Sequence, residues 1–232
     1  NLKNNPTLDN LDKLRVYSLK HKIDKNDRVQ AWFWLLQACH SPQLFAKSIL
    51  NQSKSHKTIL KDAHRTFPHI PLFEHSSTTS SIIRILNGVC NHLNLQYFQG
   101  MNAICGVFFY VTRSESQSFS LLISLLKSFN FNEMMLKTQK VAQLVLSKTN
   151  YTQLKKNQSF GLSLLLSFCA NCTPIDEVVL LWDKLFVEME FLIPLVANVV
   201  LTNEKALMEG WNGLGELKIE CEEVWRRFID EQ

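Results

Sequence analysis

Two short motifs contain the side chains of this sequence that are best suited to chemistry on a phosphate. The first, Ile-x-x-Asp-x-x-Arg, ends at Arg65, and the second, Tyr-x-Gln-Gly-Met-Asn, contains Gln99. A guanidinium group neutralises charge on a phosphoryl group during its transfer, and a glutamine amide orients the attacking water. Together, the two residue types favour a role in the hydrolysis of a nucleoside triphosphate.

Arg65 ends a segment with a helical pattern, on which Ile59 is expected to face the core. Asp62 lies three residues before Arg65 and therefore on the same face. The planar guanidinium fits phosphoryl oxygens better than an ammonium would, and such an arginine is worth about 10³–10⁵ in rate, or about 4–7 kcal/mol. The alternative is an ordinary ion pair within a helix. The Thr-Phe-Pro that follows and the second motif favour the catalytic interpretation.

Gln99 stands beside Gly100 in an apolar setting. We expect this glycine to let another backbone approach closely, and the neighbouring amide to be displayed to a partner. The alternative for Gln99 is a hydrogen bond to, or a cap on, a nearby helix. Tyr97 is predicted to pack and fix the loop, and Asn102 to hydrogen-bond the loop backbone.

The elements that must position these residues have a helical pattern along almost the whole chain. Apolar residues recur at the helical period in 8–17 and again in 82–93. Ser41 and Pro42 predict a helix start, as does the cap-like sequence that begins at Thr173. The Ser/Thr cluster 76–81 is predicted to be a loop. Glycine is scarce, with seven residues in all, and no Asn-Gly or Asp-Gly turn appears.

These patterns predict a single all-α domain over residues 1–232, with a mobile C-terminal segment near 203–232. The length suits one large domain, and 46% hydrophobic residues provide a sizeable core. Because the chain begins with Asn1 rather than Met, we expect a domain excised from a longer protein, and the opening residues do not resemble a signal peptide. The most apolar stretch, 191–201, is too short to span a bilayer.

Composition also limits the ligands. The net charge of +4 is mild, and the basic residues are dispersed, so no nucleic-acid partner is expected. A Gly-x-x-x-x-Gly-Lys motif is missing, so we expect no nucleotide site of its own. Most of the six cysteines sit among apolar residues, and reduced, buried cysteines in an intracellular protein are predicted. Cys169-x-x-Cys172 lacks a second pair of ligands at zinc spacing, so no metal site is predicted.

Four motifs, in their order along the chain, resemble those of the TBC domain, the Rab-type GTPase-activating domain. The motifs are Arg28-x-x-x-Trp32-x-x-Leu35-Leu36, Ile59-x-x-Asp62-x-x-Arg65-Thr66-Phe67-Pro68, Tyr97-x-Gln99-Gly100-Met101-Asn102 and Leu180-Leu181-Trp182-Asp183. Each motif is weak alone, but the ordered set covers most of the chain. One departure is Val187 to Glu190, where the family often has a glycine.

The resemblance implies an all-helical fold that stimulates GTP hydrolysis by a Rab or Rab-like GTPase. Arg65 would be an arginine finger and Gln99 a glutamine finger, both supplied in trans. The domain would be an activator rather than an independent enzyme. The partner would carry GTP and Mg²⁺, and this chain would have no cofactor of its own. Arg28, Trp32, Ile59, Trp182 and Asp183 would be structural.

Residues 167–178, followed by Leu-Trp-Asp, look most like the fungal mitotic-exit branch of the family. In that branch the domain is the catalytic half of a two-component activator in the spindle-position checkpoint. The resemblance leaves open an obligate second subunit. It also leaves open whether the site of action is the cytoplasm, the periphery of membranes engaged in vesicle trafficking, or the spindle pole.

Two other functions are compatible with the pattern. A domain of the same fold could bind a GTPase as a scaffold without accelerating hydrolysis, although the intact Arg65 and Gln99 argue against this. An unrelated helical scaffold would have no organised arrangement of these two residues.

Overall fold

The computed structural model describes residues 8–127, 139–141, 143–145, 160–203, 217–219 and 225–226. The chain divides into two compact units, Asn1–Phe129 and Asn130–Gln232. The described residues are mostly helical, and the one strand pairing among them joins only two residues on each side. This confirms the predicted all-α class. The described helices include none that is long and apolar enough to cross a membrane.

The described part of the first unit consists of helices joined by short connections. In chain order the helices are α1 (Leu8–Lys20), α2 (Arg28–Leu35), α3 (Pro42–Ser48), α4 (His56–Ala63), α5 (Pro71–Glu74), α6 (Ser76–Leu93), α7 (Met101–Thr112) and α8 (Glu115–Lys127). Helices α6, α7 and α8 pack against one another, and α4 packs on α6 and α7. The helix that precedes Arg65 is therefore fixed on the core of this unit.

The core of the first unit follows the apolar stripe predicted over 82–93, whereas the stripe predicted over 8–17 is buried only at Leu11 and Leu14, with Leu8 and Tyr17 exposed. On α6, Ile82, Ile85 and Leu86 are fully buried, as are Phe108 on α7 and Phe119 on α8. Burial of each such side chain contributes about 1.5–3 kcal/mol relative to exposure. The sequence period thus places a continuous apolar interior beneath α4.

One predicted helix start is confirmed and one predicted loop is wrong. Pro42 is the first residue of α3, and the Ser41 Oγ accepts a hydrogen bond of 3.3 Å from the Leu44 N–H. Residues 76–81 form the start of α6 rather than a loop. The Ser81 hydroxyl bonds the carboxylate of Glu115 on α8 at 2.8 Å. Tertiary contact of this kind overrides the low helix propensity of serine and threonine.

The described part of the second unit contains three helices, a short 3₁₀ turn and the small strand pair. Its elements are α9 (Phe160–Leu166), β1 (Cys172–Thr173), α10 (Ile175–Leu185), the 3₁₀ turn Met189–Phe191, α11 (Leu192–Thr202) and β2 (Leu217–Lys218). Thr173 lies in β1 and its carbonyl accepts a bond from Ile219, so it does not cap α10 as predicted. Pro174 precedes that helix. The predicted mobile segment lies mostly outside the described residues.

Candidate functional site

Arg65 lies just beyond the C-terminal end of α4. Ile59 and Ala63 turn inward and are buried, as the helical spacing predicted for Ile59. Arg65 is placed on the outer side, and its side chain is 51% exposed. The inward face of α4 therefore anchors the helix while leaving the guanidinium accessible to a second molecule.

Asp62 contacts both predicted motifs. Its Oδ1 accepts a hydrogen bond of 2.7 Å from Arg65 Nη2, and its Oδ2 accepts one of 2.7 Å from the hydroxyl of Tyr97. The Asp62 side chain is only 7% exposed, so both oxygens are paired, as a buried carboxylate requires. The ion pair considered as an alternative is present, and it uses one of the five N–H donors of the guanidinium.

Asn102 and Thr66 add a second set of bonds between the two motifs. Asn102 Nδ2 donates to Thr66 Oγ1 at 3.0 Å and to the Asp62 carbonyl at 3.3 Å. Asn102 Oδ1 lies 3.2 Å from the Tyr97 hydroxyl oxygen. Asn102 was predicted to bond its own loop. The structure instead directs its amide to the backbone of the other motif.

Tyr97 acts as a neutral donor in this network. Burial, followed by the hydrogen bond to Asp62, raises the pKa of Tyr97 well above its ordinary value. The hydroxyl therefore keeps its proton at neutral pH and donates it to the carboxylate. The Tyr97 N–H bonds Ser55 Oγ at 3.1 Å, so the loop is tied to both ends of α4.

Gln99 is exposed beside the start of α7. Gly100 precedes the first residue of α7 and has a φ of 105°, a conformation that side-chain-bearing residues rarely adopt. This conformation of Gly100 turns the chain into α7, and the predicted close approach of another backbone stays a prediction. The Phe98 N–H contacts the sulfur of buried Met101 at 3.4 Å, which holds the residues on either side of Gln99.

Gly106 is a positioning residue that sequence reasoning missed. A Cβ at this position would lie 2.5 Å from Cε2 of Phe67 and 2.9 Å from Cγ2 of Thr66. The Phe67 ring also packs edge-on against Phe73, with centroids 5.1 Å apart. Gly106 lies four residues after Asn102, on the same face of α7, and that spacing was the signal available in the sequence.

Asn87 is a second positioning residue that was not predicted. Its Oδ1 accepts bonds of 2.9 Å from both the N–H and the hydroxyl of Ser53, and its Nδ2 lies 3.0 Å from Nδ1 of His56. One buried amide on α6 thus holds the residues where α4 begins. A lone polar residue in the apolar stripe of α6 was the only signal in the sequence.

The predicted structural residues lie in the helices that carry the core. Trp32 is fully buried and contacts Phe108 edge-on at 5.8 Å, and Arg28 bonds the carbonyl of Ile23 at 2.8 Å. In the second unit, Trp182 donates to the Phe168 carbonyl at 2.9 Å, and Asp183 is buried. Their burial is consistent with the structural interpretation.

Cys169 and Cys172 are free, buried thiols. A hydrogen bond with Cys172, reinforced by burial, raises the pKa of Cys169 well above the ordinary value. A metal would need the thiolate form. Within the described ranges, no group of three or more His, Cys, Asp or Glu residues could hold a metal ion.

A separate groove of about 600 Å³ lies beside α1 and α2. Its walls include Leu11, Phe33 and Trp34. None of its lining residues belongs to the Arg65 or Gln99 motif, so the groove is distinct from the candidate site.

An all-helical domain that exposes an arginine and a glutamine from two hydrogen-bonded motifs fits a class of protein that acts on a second molecule. The family model described as the Rab-GTPase-TBC domain, RabGAP-TBC, matches residues 25–208. The chain therefore belongs to this family.

Two curated relatives match parts of the chain. One is the "Putative mitotic check point protein BUB2" of Dictyostelium discoideum, 30% identical over 144 residues, which are 56% of this chain and 39% of that protein. The other is the GTPase-activating protein GYP5 of Saccharomyces cerevisiae, 27% identical over 128 residues, which are 49% of this chain and 14% of that protein. The chain thus spans well under half the length of either relative.

Two solved structures share the fold. The Chlamydomonas flagellar RabGAP TBC domain is 18% identical with a TM-score of 0.67, over 98% of this chain and 80% of that one. The Ypt/Rab-GAP domain of Gyp1p is 18% identical with a TM-score of 0.71, over 99% and 95%. These similarities establish the helical TBC fold.

Proposed function

We propose that this domain accelerates GTP hydrolysis by a Rab or Rab-like GTPase through Arg65 and Gln99. The observation that carries the proposal is the Asp62 carboxylate, which bonds Arg65 with one oxygen and Tyr97 with the other. Because Tyr97 is two residues from Gln99, this single group couples the two exposed side chains. A scaffold without activity would not require that coupling.

In the proposed mechanism, the GTPase carries GTP and Mg²⁺ while this chain contributes protein donors only. The Arg65 guanidinium neutralises charge on the transferring phosphoryl group, and the Gln99 amide orients water in place of the GTPase's own glutamine. The hydrogen bonds of Asp62, Asn102 and Thr66 hold the donors before the GTPase arrives. Most of the acceleration is then electrostatic and positional.

The mitotic-exit branch is the favoured subfamily within this proposal. The relative named as a mitotic check point protein supports it at 30% identity, while the similarity to GYP5 supports the broader GTPase-activating role. Under this proposal a second activator subunit joins the domain, and the complex acts at the spindle pole. Adding candidate partner chains to an assay over a panel of Rab-like GTPases tests that requirement.

Arg65→Ala is expected to reduce stimulated hydrolysis about 10³-fold or more in a protein that remains folded. Arg65→Lys should also be poor, because an ammonium cannot reproduce the planar fork. The measurement is single-turnover GTP hydrolysis with a responsive GTPase. Arg15→Ala is the matched control, since Arg15 forms an Asp-x-x-Arg pair with Asp12 on α1. Activity of folded Arg65→Ala within a few-fold of the parent would end the arginine assignment.

Gln99→Ala is expected to slow hydrolysis strongly and leave binding of the GTP-bound partner nearly unchanged, because water is oriented on the way to the transition state. The comparison is two by two, with each partner carrying either its glutamine or alanine. A GTPase without its own glutamine should still respond to the parent domain. Gln96→Ala, at an exposed position in the same loop, is the control. Loss of response from the GTPase substitution alone would remove Gln99 from the mechanism.

A further inference from the structure

The outer face of α4, with the residues just before and just after the helix, carries a stripe of positive charge that ends at the candidate site. We name it the α4 stripe, and it consists of Lys54, Lys57, Lys61 and Arg65, all exposed. At 3.6 residues per turn, Lys57 and Lys61 lie about one turn apart on the side of the helix opposite buried Ile59. The same helical geometry that directs Ile59 inward directs these ammonium groups to solvent.

Of the four residues of the α4 stripe, only Arg65 is paired with a carboxylate that is close in the sequence. Asp62 is the only acidic residue in the sequence from 28 to 73. It is buried, and both of its oxygens accept hydrogen bonds, from Arg65 and Tyr97. The stripe and Asp62 together leave three positive charges, in a chain whose net charge is +4. The segment therefore remains positive after its one carboxylate is counted.

Helix stability does not explain Lys57. Lys57 lies in the first turn of α4, where the helix dipole disfavours a cation. Lys57 and Lys61 also repel each other at a spacing of four residues. Lys61 lies in the last turn, where the dipole favours a cation, but Lys57 and the repulsion between the two lysines weaken the start of the helix that holds Arg65. The exposed position of Lys57 therefore points to an interaction with a molecule outside the chain.

We infer that the α4 stripe is a docking surface for an acidic protein face of the GTPase, beside its nucleotide. The inference rests on the proposed function, in which Arg65 reaches the bound nucleotide. The lysines continuous with Arg65 then face the rim of the nucleotide site. Complementary charge at such a rim raises the association rate and selects among partners. The stripe thus favours GTPases that carry Asp and Glu at that rim.

The test is charge reversal in the whole chain with Lys57→Glu/Lys61→Glu, compared with the neutral pair Lys57→Gln/Lys61→Gln. Lys20→Glu/Lys25→Glu is the matched control, since both lysines are exposed and the net charge changes equally. Stimulated hydrolysis is measured over a panel of Rab-type GTPases at several salt concentrations, giving kcat and KM separately. Circular dichroism verifies that each variant is folded.

For each GTPase that responds to the parent, the reversed pair should lower kcat/KM about tenfold or more at low salt. The neutral pair should fall between the reversed pair and the parent, and the control should match the parent. The loss should appear in KM, with kcat unchanged. It should shrink as salt rises, because the screening length falls to about 3 Å at 1 M.

Several results would overturn the docking surface. These are an unchanged kcat/KM in the reversed pair, a fall in kcat with the salt dependence unaltered, or a loss that requires anionic lipid vesicles in the assay. Arg65→Ala and Gln99→Ala, measured over the same panel of GTPases, distinguish a failure of the docking surface from a failure of the proposed catalytic mechanism. If they remain active while the reversed pair loses kcat/KM, the finger assignment fails and the surface stands. A parent domain that stimulates no GTPase overturns both.

Discussion

Asp62 is the residue on which the geometry of the site depends. A buried carboxylate stays charged only when its oxygens are paired, and removing one partner leaves an uncompensated acceptor. Arg65 and Tyr97 supply one bond each. The arginine is thereby held at one nitrogen while its side chain remains half exposed. This arrangement orders the guanidinium without burying it.

Tyr97→Phe tests this dependence by removing one hydroxyl and little volume. Because the Asp62 Oδ2, a charged acceptor, then loses the hydrogen bond that Tyr97 donates, the free energy of unfolding should fall by about 1.5–3 kcal/mol. The kcat of stimulated hydrolysis should fall as well, since Asp62 and Arg65 become less ordered. Urea unfolding and single-turnover hydrolysis measure the two effects.

Tyr17→Phe is the control, because Tyr17 on α1 is exposed and its hydroxyl lies outside the site.

The raised pKa of Tyr97 also fixes the pH range over which its hydroxyl stabilises the fold. The folded state holds the proton more tightly than the unfolded chain, so the stabilisation is complete below about pH 10 and is lost above it. Equal stability and equal kcat in Tyr97→Phe and the parent would show that Asp62 does not need this bond.

At the scale of elements, the contact between α7 and the segment after α4 depends on the absence of a side chain at Gly106. Glycine within a helix is unfavourable by about 1 kcal/mol relative to alanine. Gly106 leaves room on α7 for the ring of Phe67 and the methyl group of Thr66. These residues directly follow Arg65, so the close approach of α7 fixes where the arginine leaves the helix.

Gly106→Ala is expected to displace the Phe67 ring, lower kcat, and destabilise the fold by about 1–3 kcal/mol despite the better helix propensity of alanine. Gly88→Ala on α6 is the matched control. Its Cβ would meet Ile49 at 3.0 Å and Phe119 at 3.2 Å, a milder approach to two residues that belong to neither motif. Kinetics and chemical denaturation are measured on both variants.

Phe67→Leu in the Gly106→Ala background separates positioning from general damage. The smaller side chain relieves the contact with the new Cβ. Part of the kcat that Gly106→Ala loses should therefore return in the double variant, whose kcat should lie close to that of Phe67→Leu alone. If Gly106→Ala and Gly88→Ala behave alike in kcat, the approach of α7 has no special relation to the site.

At the scale of the whole molecule, the sequence predicted the features that depend on the spacing of residues close together in the chain. The helical period located the buried faces of α4 and α6, and the motifs indicated Arg65 and Gln99 as candidate site residues. The burial of Ile59 and Trp182 follows from the same period. The prediction of one domain over 1–232 stays a prediction.

Contacts between distant residues could not be predicted in this way. The bond from Tyr97 to Asp62 joins residues 35 positions apart, and the Asn87 bond to Ser53 spans 34. The prediction for 76–81 failed for the same reason, because Ser81 meets Glu115 on α8. Local propensity carries no information on which polar group a folded chain brings opposite another.

The five cysteines among the described residues give a prediction that involves both units. Cys39 is exposed, whereas Cys90, Cys105, Cys169 and Cys172 are buried. Burial raises the pKa of Cys90 to about 11 and that of Cys105 well above its ordinary value. The hydrogen bond with Cys172 does the same for Cys169. Thiolate is the form that reacts with alkylating agents and binds metal, so the buried thiols should do neither while the protein is folded.

Alkylation with iodoacetamide at pH 8, read by peptide mass spectrometry, should therefore label Cys39 rapidly and these four thiols only as the protein unfolds in urea. Cys39→Ser is the control that removes the fast site. Elemental analysis of the purified protein should find no zinc, and a chelator should leave the Tm unchanged, because Cys169 remains protonated and no group of three or more possible ligands occurs among the described residues. Rapid labelling of Cys169 in the folded protein would contradict its protonated state, and zinc bound in stoichiometric amount would contradict the prediction that this pair binds no metal.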